Sequence, residues 1–154
     1  MTTPQQKFET AMRALPLVAI LRGLTPAEAA DVGDAIVESG FRLLEVPLNS
    51  PKPYASITLM RTRFPQALVG AGTVLDVQQV RYVHAAGGEL VVSPNFNAEV
   101  IAEAVRLGMV CLPGVLTPTE AFGALAAGAT GLKLFPAELA SPAVVKALLA
   151  VLPQ

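Results

Sequence analysis

The chain has 154 residues, of which 53% are hydrophobic, 15% charged and 5% aromatic, and its formal net charge is -1. This length suits one domain with a substantial core, and the low charged fraction with regularly spaced glycines and prolines argues against disorder and a coiled coil. Neither sign of charge forms a run, so neither a nucleic-acid surface nor a polybasic membrane patch is predicted, and a small-molecule partner is expected.

The single cysteine and the single histidine limit the chemistry that the chain can carry. Cys111 cannot form an internal disulfide and His84 cannot build a Cys/His metal cluster, so we expect a reducing cytoplasmic location and no bound metal. Cys111 is interpreted as a buried small hydrophobe, and His84 as a side chain on a solvated helix face. Residues 15–21 are apolar but too few to cross a membrane, and no signal-peptide pattern surrounds them.

The predicted elements begin with a helix over residues 5–14, after which short apolar runs alternate with longer alanine-rich stretches. The runs lie at residues 17–21, 43–48, 68–71, 90–92, 109–112 and 132–135. Apolar runs without strict alternation are typical of strands covered on both faces, as in a parallel sheet. The stretches between them are predicted to be helices.

Helix ends carry recognisable signals. Thr25 and Thr117 are each followed by proline and then, three residues after the threonine, by glutamate, a pattern that predicts an N-cap and a capping box. Similar starts are predicted at Ser50, Asn97 and Ser141, and helix-ending glycines at Gly40, Gly87, Gly108 and Gly128.

Six βα units preceded by one helix are therefore predicted within a single domain over residues 1–154. Right-handed crossovers arrange such units either as an open doubly wound sheet or as part of a (β/α)8 barrel. The Gly70-Ala71-Gly72 segment at the end of the third run has the G-x-G pattern that can open a dinucleotide site after a strand. Leu75 stands where the full G-x-G-x-x-G motif needs its third glycine. A nicotinamide cofactor is therefore not expected.

Polar residues near the carboxyl ends of the predicted strands are the candidates for chemistry, because these ends meet at one mouth of a parallel barrel. They are Arg22, Glu45, Asn49, Thr73, Ser93, Asn95 and Lys133. For Arg22, whose planar fork suits a carboxylate or phosphate, and Thr73, which offers a hydroxyl, the alternative is helix capping or ordinary loop hydrogen bonding.

Lys133 lies among apolar neighbours in residues 131–136. Burial lowers a lysine pKa, and an amine that is neutral near pH 7 can attack a carbonyl to form a Schiff base. The alternative is a lysine on an edge strand whose head reaches water.

Glu45 lies within an apolar strand, where a lone carboxyl group must be paired, protonated or functional. Close to Lys133, it could shuttle protons during Schiff-base formation and carbon–carbon cleavage. The alternative is a structural ion pair with Arg22 or Lys133.

Six motifs at strand ends resemble the KDPG/KHG aldolase family, and they occur in the same order. The motifs are Ala19-Ile20-Leu21-Arg22-Gly23, Leu44-Glu45-Val46-Pro47-Leu48-Asn49-Ser50-Pro51, Val69-Gly70-Ala71-Gly72-Thr73-Val74, Val92-Ser93-Pro94-Asn95, Leu112-Pro113-Gly114 and Lys133-Leu134-Phe135-Pro136-Ala137. The resemblance covers the chain from about residue 15 onward.

The resemblance implies a class I aldolase on a (β/α)8 TIM barrel, here truncated to six βα units plus an N-terminal helix. Such enzymes are usually trimeric and split phosphorylated 2-keto-3-deoxy sugar acids into pyruvate and glyceraldehyde 3-phosphate without a metal. Lys133 is similar to their Schiff-base lysine and Glu45 to their proton-shuttling glutamate. Thr73 and Arg22 would hold the carboxylate and hydroxyl end of the substrate.

Asn49 bears on the substrate, because it stands where the phosphogluconate members typically carry an arginine. Together with the Leu-Arg-Gly sequence after the first strand, it resembles the 2-dehydro-3-deoxy-6-phosphogalactonate branch. A KDPG or KHG aldolase of the same family is the alternative, and a metal-dependent aldolase is disfavoured by the lack of histidines and paired acids.

The six units also differ from the eight of the family, whose last two normally bind phosphate. The first and sixth strands are therefore expected to be open edges, with phosphate binding weakened and the fold unstable on its own. A non-catalytic barrel fragment is the second alternative.

Overall fold

The computed structural model describes residues 2–153. In chain order the elements are α1 (Pro4–Ala14), β1 (Val18–Ile20), α2 (Ala29–Glu38), β2 (Leu43–Pro47), α3 (Pro53–Arg63), β3 (Leu68–Gly72), α4 (Val77–Ala85), β4 (Leu90–Val92), α5 (Ala98–Arg106), β5 (Val110–Leu112), β6 (Gly114–Val115), α6 (Pro118–Ala126), β7 (Lys133–Leu134), a 3-10 turn (Ala137–Leu139) and α7 (Pro142–Leu149). The predicted N-terminal helix and six strands are confirmed.

The strands are parallel and follow one another in sequence order from β1 to β5, while β6 pairs with β7. β6 continues β5 beyond Pro113, so the seven short strands correspond to six βα units. The Thr130 N–H donates to the Cys111 carbonyl and the Lys133 N–H to the Pro113 carbonyl. The segment from Thr130 to β7 therefore lies alongside both β5 and its continuation β6. The chain forms a partial parallel barrel.

Alternate residues of each strand face opposite sides of the sheet. The inward cluster contains Leu43, Leu68, Leu90, Val92 and Val110 together with Ala11 of α1. The residues between them pack against the helices in a larger cluster that includes Leu44, Val46, Val69, Val91 and Cys111. Because both faces are covered, the strands need no alternation of apolar and polar residues, as the sequence indicated.

Most of the predicted helix ends are confirmed. Thr117 forms the capping box with Glu120, and the Asn97 and Ser141 side chains accept hydrogen bonds from the first turns of α5 and α7. The four predicted helix-ending glycines all adopt positive φ, the conformation that only glycine adopts at little cost.

Two predicted helix starts are wrong, because tertiary contacts and local turns use the capping residues differently. The Thr25 hydroxyl donates to the Glu28 carboxylate, residues 26–28 form a turn, and α2 begins only at Ala29. The Ser50 hydroxyl accepts a hydrogen bond from the Gly23 N–H, which joins the loops after β1 and β2, and α3 begins only at Pro53.

The strands β1 and β7 are the two ends of the partial barrel. No further strand pairs with their outer sides within residues 2–153, as expected for six units. Large apolar side chains are exposed in or directly next to these strands, at Leu17, Ile20 and Phe135, and around the end of α7, at Leu149 and Val151. Among the helices in residues 2–153, none is long and apolar enough to cross a membrane.

Candidate active site

A cleft of about 830 Å³ opens where the inward faces of the strands meet the gap between β1 and β7. It is lined by Phe8, Met12, Pro16, Val18, Ile20, Glu45, Val92, Leu112, Gly131, Leu132, Lys133, Leu149 and Pro153. Glu45 and Lys133 are the two ionisable groups of this lining. They therefore face one mostly apolar cavity from β2 and from β7.

Glu45 is buried, with 3% of its surface exposed. Its residue lies between Ile20 of β1 and Gly70 of β3 in the sheet, and its side chain points inward. Burial raises the pKa of the Glu45 carboxyl above the ordinary value of 4.5, and the charges of Lys133 and Arg22 oppose this effect. A carboxyl group with a raised pKa is suited to exchange protons closer to neutral pH.

The Glu45 carboxyl extends toward the end of β3, above Gly72. A Cβ atom at Gly72 would overlap the Glu45 Oε1 atom and would lie only 2.8 Å from its Cγ. Within residues 2–153 no hydrogen bond holds the carboxyl, and the charges of Lys133 and Arg22 act on it through space. It is therefore available to a substrate or a water molecule.

Lys133 is half-buried on the edge strand β7, and its Nζ atom lies 5.1 Å from the centroid of the Phe135 ring. This position matches part of the edge-strand alternative, but the side chain lines the cleft. An amine in this position borders the same cavity as the Glu45 carboxyl.

Glu45 and Lys133 do not form the structural ion pair that the sequence left open. The ion pairs within residues 2–153 involve other side chains, and none contains Lys133, Glu45 or Arg22. Their charges nevertheless interact across the cleft. The arrangement leaves room for a water molecule or a substrate atom to join the two groups.

Arg22 and Thr73 lie just after β1 and β3, the two strands that flank β2. Arg22 is exposed and lines a separate shallow depression beside the cleft, although its charge reaches Glu45. Thr73 is half-buried and has a φ of 57°. This conformation is strained for a β-branched residue, and such strain is concentrated at functional sites.

The helix-capping alternative for these two residues does not hold, because Glu28 and Asp76 occupy the N-cap positions of α2 and α4. The structure thus brings Glu45 and Lys133 together in the cleft. It places Arg22 and Thr73 after the ends of β1 and β3, on either side of β2 and outside the cleft lining.

The remaining candidates lie outside the cleft. The Asn95 side chain donates to the Phe96 carbonyl, and Asn49 is exposed. Ser93 is buried, and its hydroxyl has no hydrogen-bond partner within residues 2–153. Burial raises the pKa of the Cys111 thiol to about 12, which confirms its interpretation as a small hydrophobe.

The glycines of the third strand have roles that the sequence did not reveal. Gly70 leaves room for the backbone carbonyl of Leu90, and Gly72 leaves room for the carboxyl of Glu45. The sequence indicated only that these glycines let a ligand approach the backbone. Gly70 pairs with Glu45 in the sheet, and Gly72 lies two residues further along β3. No signal in the sequence indicates this pairing.

A second cavity, of about 790 Å³, lies at the opposite end of the barrel. Among its charged lining residues, Glu89 binds Lys7 at 2.8 Å and Arg61 at 3.2 Å, and Arg42 donates hydrogen bonds to the Val37 and Phe41 carbonyls. These contacts attach α1 to the base of the barrel. Within residues 2–153, no group of three or more His, Cys, Asp or Glu side chains is arranged to hold a metal ion.

These features place the chain among the (β/α) barrel proteins, with an amine and a buried carboxyl lining one cleft. The model of the family described as "KDPG and KHG aldolase" matches residues 8–154, and the chain belongs to this family. This confirms the resemblance seen in the six strand-end motifs and the TIM-barrel fold class.

The chain is similar both to known protein sequences and to solved structures. A Rhizobium meliloti (strain 1021) protein named "Probable 2-dehydro-3-deoxy-6-phosphogalactonate aldolase" is 52% identical over 139 residues, which are 90% of this chain and 66% of that protein. A solved structure described as "Native KDPGal structure" is 49% identical, with a TM-score of 0.88, over 90% of this chain and 68% of its own.

A KDPG aldolase structure from Legionella pneumophila is 30% identical, with a TM-score of 0.86, and the match covers 99% of this chain and 73% of that one. It contains pyruvate captured at low pH as a covalent carbinolamine intermediate. The chain spans about two thirds of the length of the Rhizobium protein and of the KDPGal structure.

Proposed function

We propose that the chain is a class I, Schiff-base aldolase that cleaves 2-dehydro-3-deoxy-6-phosphogalactonate to pyruvate and glyceraldehyde 3-phosphate. The observation that carries this proposal is the shared cleft of Lys133 and Glu45. Membership of the aldolase family supports it, as does the carbinolamine of pyruvate in the Legionella relative.

Lys133 supplies the nucleophile in this mechanism. Its Nζ atom attacks the keto carbon of the substrate to form a carbinolamine, which loses water to give an iminium ion. The bond between C3 and C4 then breaks, and its electron pair moves toward the iminium nitrogen to form an enamine. The chemistry requires no metal, because the iminium accepts the electrons.

Glu45 moves the protons of the reaction. It takes the proton of the C4 hydroxyl as that carbon becomes the aldehyde of glyceraldehyde 3-phosphate, either directly or through one water. The protonated carboxyl then returns a proton to C3 of the enamine, and hydrolysis releases pyruvate and regenerates the amine. The raised pKa of Glu45 suits both steps, because it brings the acid and base forms closer in energy near neutral pH.

Arg22 and Thr73 are proposed to bind the carboxylate and hydroxyl end of the substrate. The guanidinium group can hold a carboxylate with two parallel hydrogen bonds, and the hydroxyl can donate another. Their positions on either side of β2 support this assignment, because both flank the strand that carries Glu45.

The galactonate-derived substrate is favoured over its gluconate-derived counterpart. The relatives named for the former are 52% and 49% identical, whereas the Legionella KDPG aldolase is 30% identical. The Pro-Leu-Asn-Ser-Pro sequence around Asn49 supports the same choice. We further propose a cytoplasmic homotrimer that acts on a small phosphorylated 2-keto-3-deoxy sugar acid and binds neither nucleic acid nor membrane.

Reduction with sodium borohydride in the presence of pyruvate tests the reaction class. We expect a mass increase of one reduced pyruvate adduct, located on Lys133 by peptide mapping and absent from a Lys133→Ala variant. The matched Lys146→Ala variant removes an exposed lysine of α7 and should retain the adduct. Adduct formation that persists in Lys133→Ala would contradict the assignment.

Two further measurements address the alternatives. Cleavage rates with the two C4 epimers of the substrate distinguish the galactonate from the gluconate assignment. We expect EDTA to leave the cleavage rate with the preferred epimer unchanged. The open edges at β1 and β7 favour a second candidate, a barrel fragment without activity. Absence of the adduct together with a molten circular-dichroism spectrum would support that candidate.

A further inference from the structure

Gly72 is a fully buried glycine at the end of β3, opposite Pro47 of β2. Its φ lies outside the left-handed region that other glycines of the chain adopt, such as Gly87 and Gly108. Other residue types could therefore adopt the backbone conformation at position 72. What the position requires is the absence of a side chain.

The atoms that a side chain at this position would meet belong to Glu45. A Cβ atom there would overlap Oε1 and crowd the rest of the carboxyl group, with Cγ at 2.8 Å. Gly70, two residues earlier, differs because its nearest obstacle is the backbone of Leu90. The space above Gly72 is thus occupied by the proposed proton-transfer group, whereas the space above Gly70 is occupied by the sheet itself.

We propose that Gly72 is a positioning residue for the reaction: its missing side chain creates the space in which the Glu45 carboxyl lies within the cleft shared with Lys133. This inference rests on the proposed function. With a methyl group at position 72, the carboxyl has to leave this place, and its separation from Lys133 and from the bound substrate changes. Because proton transfer depends steeply on such distances, a displacement of about 1 Å is enough to cost about 100-fold in rate.

Exchange of the pyruvate methyl protons for deuterium, followed by NMR in D₂O, measures this role. Exchange requires both the imine on Lys133 and a base that removes the proton, whereas the borohydride adduct reports the imine itself. The variants are Gly72→Ala, Glu45→Ala and the combination of both, each measured in the full chain. Circular dichroism and thermal melting report whether each variant folds.

Glu45→Ala provides the decisive comparison, because it removes the Cγ, Cδ and Oε1 atoms that a Cβ atom at position 72 would meet. We expect Gly72→Ala to slow exchange by about tenfold or more in the presence of Glu45. In the Glu45→Ala background, which has lost the base, the same change should slow the remaining exchange by less than about threefold, since contacting residues give non-additive effects. Gly123→Ala, in α6, is the matched control, because the added Cβ atom would also be crowded, at 3.0 Å from the Phe96 ring. This control should leave exchange unchanged.

Several outcomes contradict the inference while leaving the proposed function intact. The first is wild-type exchange in Gly72→Ala, and the second is an equal loss in both backgrounds. The third is unfolding of Gly72→Ala that Glu45→Ala does not correct, since the obstacle would then be something other than the Glu45 side chain. A missing adduct in the unaltered chain contradicts the proposed function, and this inference with it.

Discussion

Glu45 and Glu103 are both largely buried glutamates, yet their surroundings shift their pKa values in opposite directions. Glu103 lies on α5, where its carboxylate accepts hydrogen bonds from Arg106 at 2.7 and 2.8 Å and from Arg81 at 2.8 Å. These bonds, with Arg106 contributing most, lower the pKa of Glu103 to about 2. Glu45 has no such partner within residues 2–153, and burial raises its pKa.

The difference shows how one side chain type serves two purposes. A carboxylate held by two guanidinium groups stays ionised over the physiological range, and it joins α4 to α5. A carboxyl group that is desolvated but not directly paired can gain or lose a proton at a small cost in free energy. The comparison therefore assigns a structural role to Glu103, and it supports the proposed proton transfer by Glu45.

Replacement of Glu45 by glutamine is expected to have the largest effect on activity. Glu45→Gln keeps the shape of the side chain and removes its base, so substrate cleavage should fall by about 10²–10⁴-fold. The unaltered chain should lose activity as the pH falls through the raised pKa of Glu45, and the variant should lack this acidic limb. The measurement is kcat/KM against pH.

The control is Glu38→Gln, at an exposed position of α2, which should keep both the rate and the pH profile. An unchanged acidic limb in Glu45→Gln would show that another group titrates. Full activity of that variant would remove Glu45 from the mechanism.

Glu103→Gln should leave the rate of imine formation unchanged and should lower the Tm at pH 7 by a few degrees, because both arginines lose their charged partner. The folded-state pKa of about 2 lies below the ordinary value of 4.5, so this carboxylate stabilises the fold above pH 4.5. Its contribution is lost as the pH falls toward 2. Thermal melting of both chains between pH 2 and 7 measures the effect, and an equal Tm at pH 7 would contradict the structural role.

The smallest expected effect is on the stability of the fold: the Glu45 carboxyl lowers stability at pH 7, whereas the Glu103 carboxylate raises it. Because its folded-state pKa is raised, the folded chain binds more protons than the unfolded chain, and stability falls as the pH rises above 4.5. Glu45→Gln removes this cost and should raise the Tm at pH 7, whereas no difference is expected well below pH 4.5. A lower Tm at pH 7 would indicate that Glu45 is held by a stabilising partner.

Much of the fold was predictable because it depends on short stretches of chain. The caps at Asn97, Thr117 and Ser141 involve residues two or three positions apart, and the buried strands are evident as apolar runs. The same local pattern misled at Thr25, where the hydroxyl binds the Glu28 carboxylate instead of a helix N–H. At Ser50 a loop 27 residues away uses the hydroxyl.

The sequence alone determined the parallel α/β architecture and marked Glu45 and Lys133 as unusual. An ionisable group within an apolar strand costs free energy unless it is paired, neutral or functional. Only the tertiary structure decided that both face one cleft without forming an ion pair, and that Gly72 makes room for the carboxyl. The physical reason is that these relations join strands far apart in the chain. Their distances follow from the register and curvature of the sheet, which no local pattern contains.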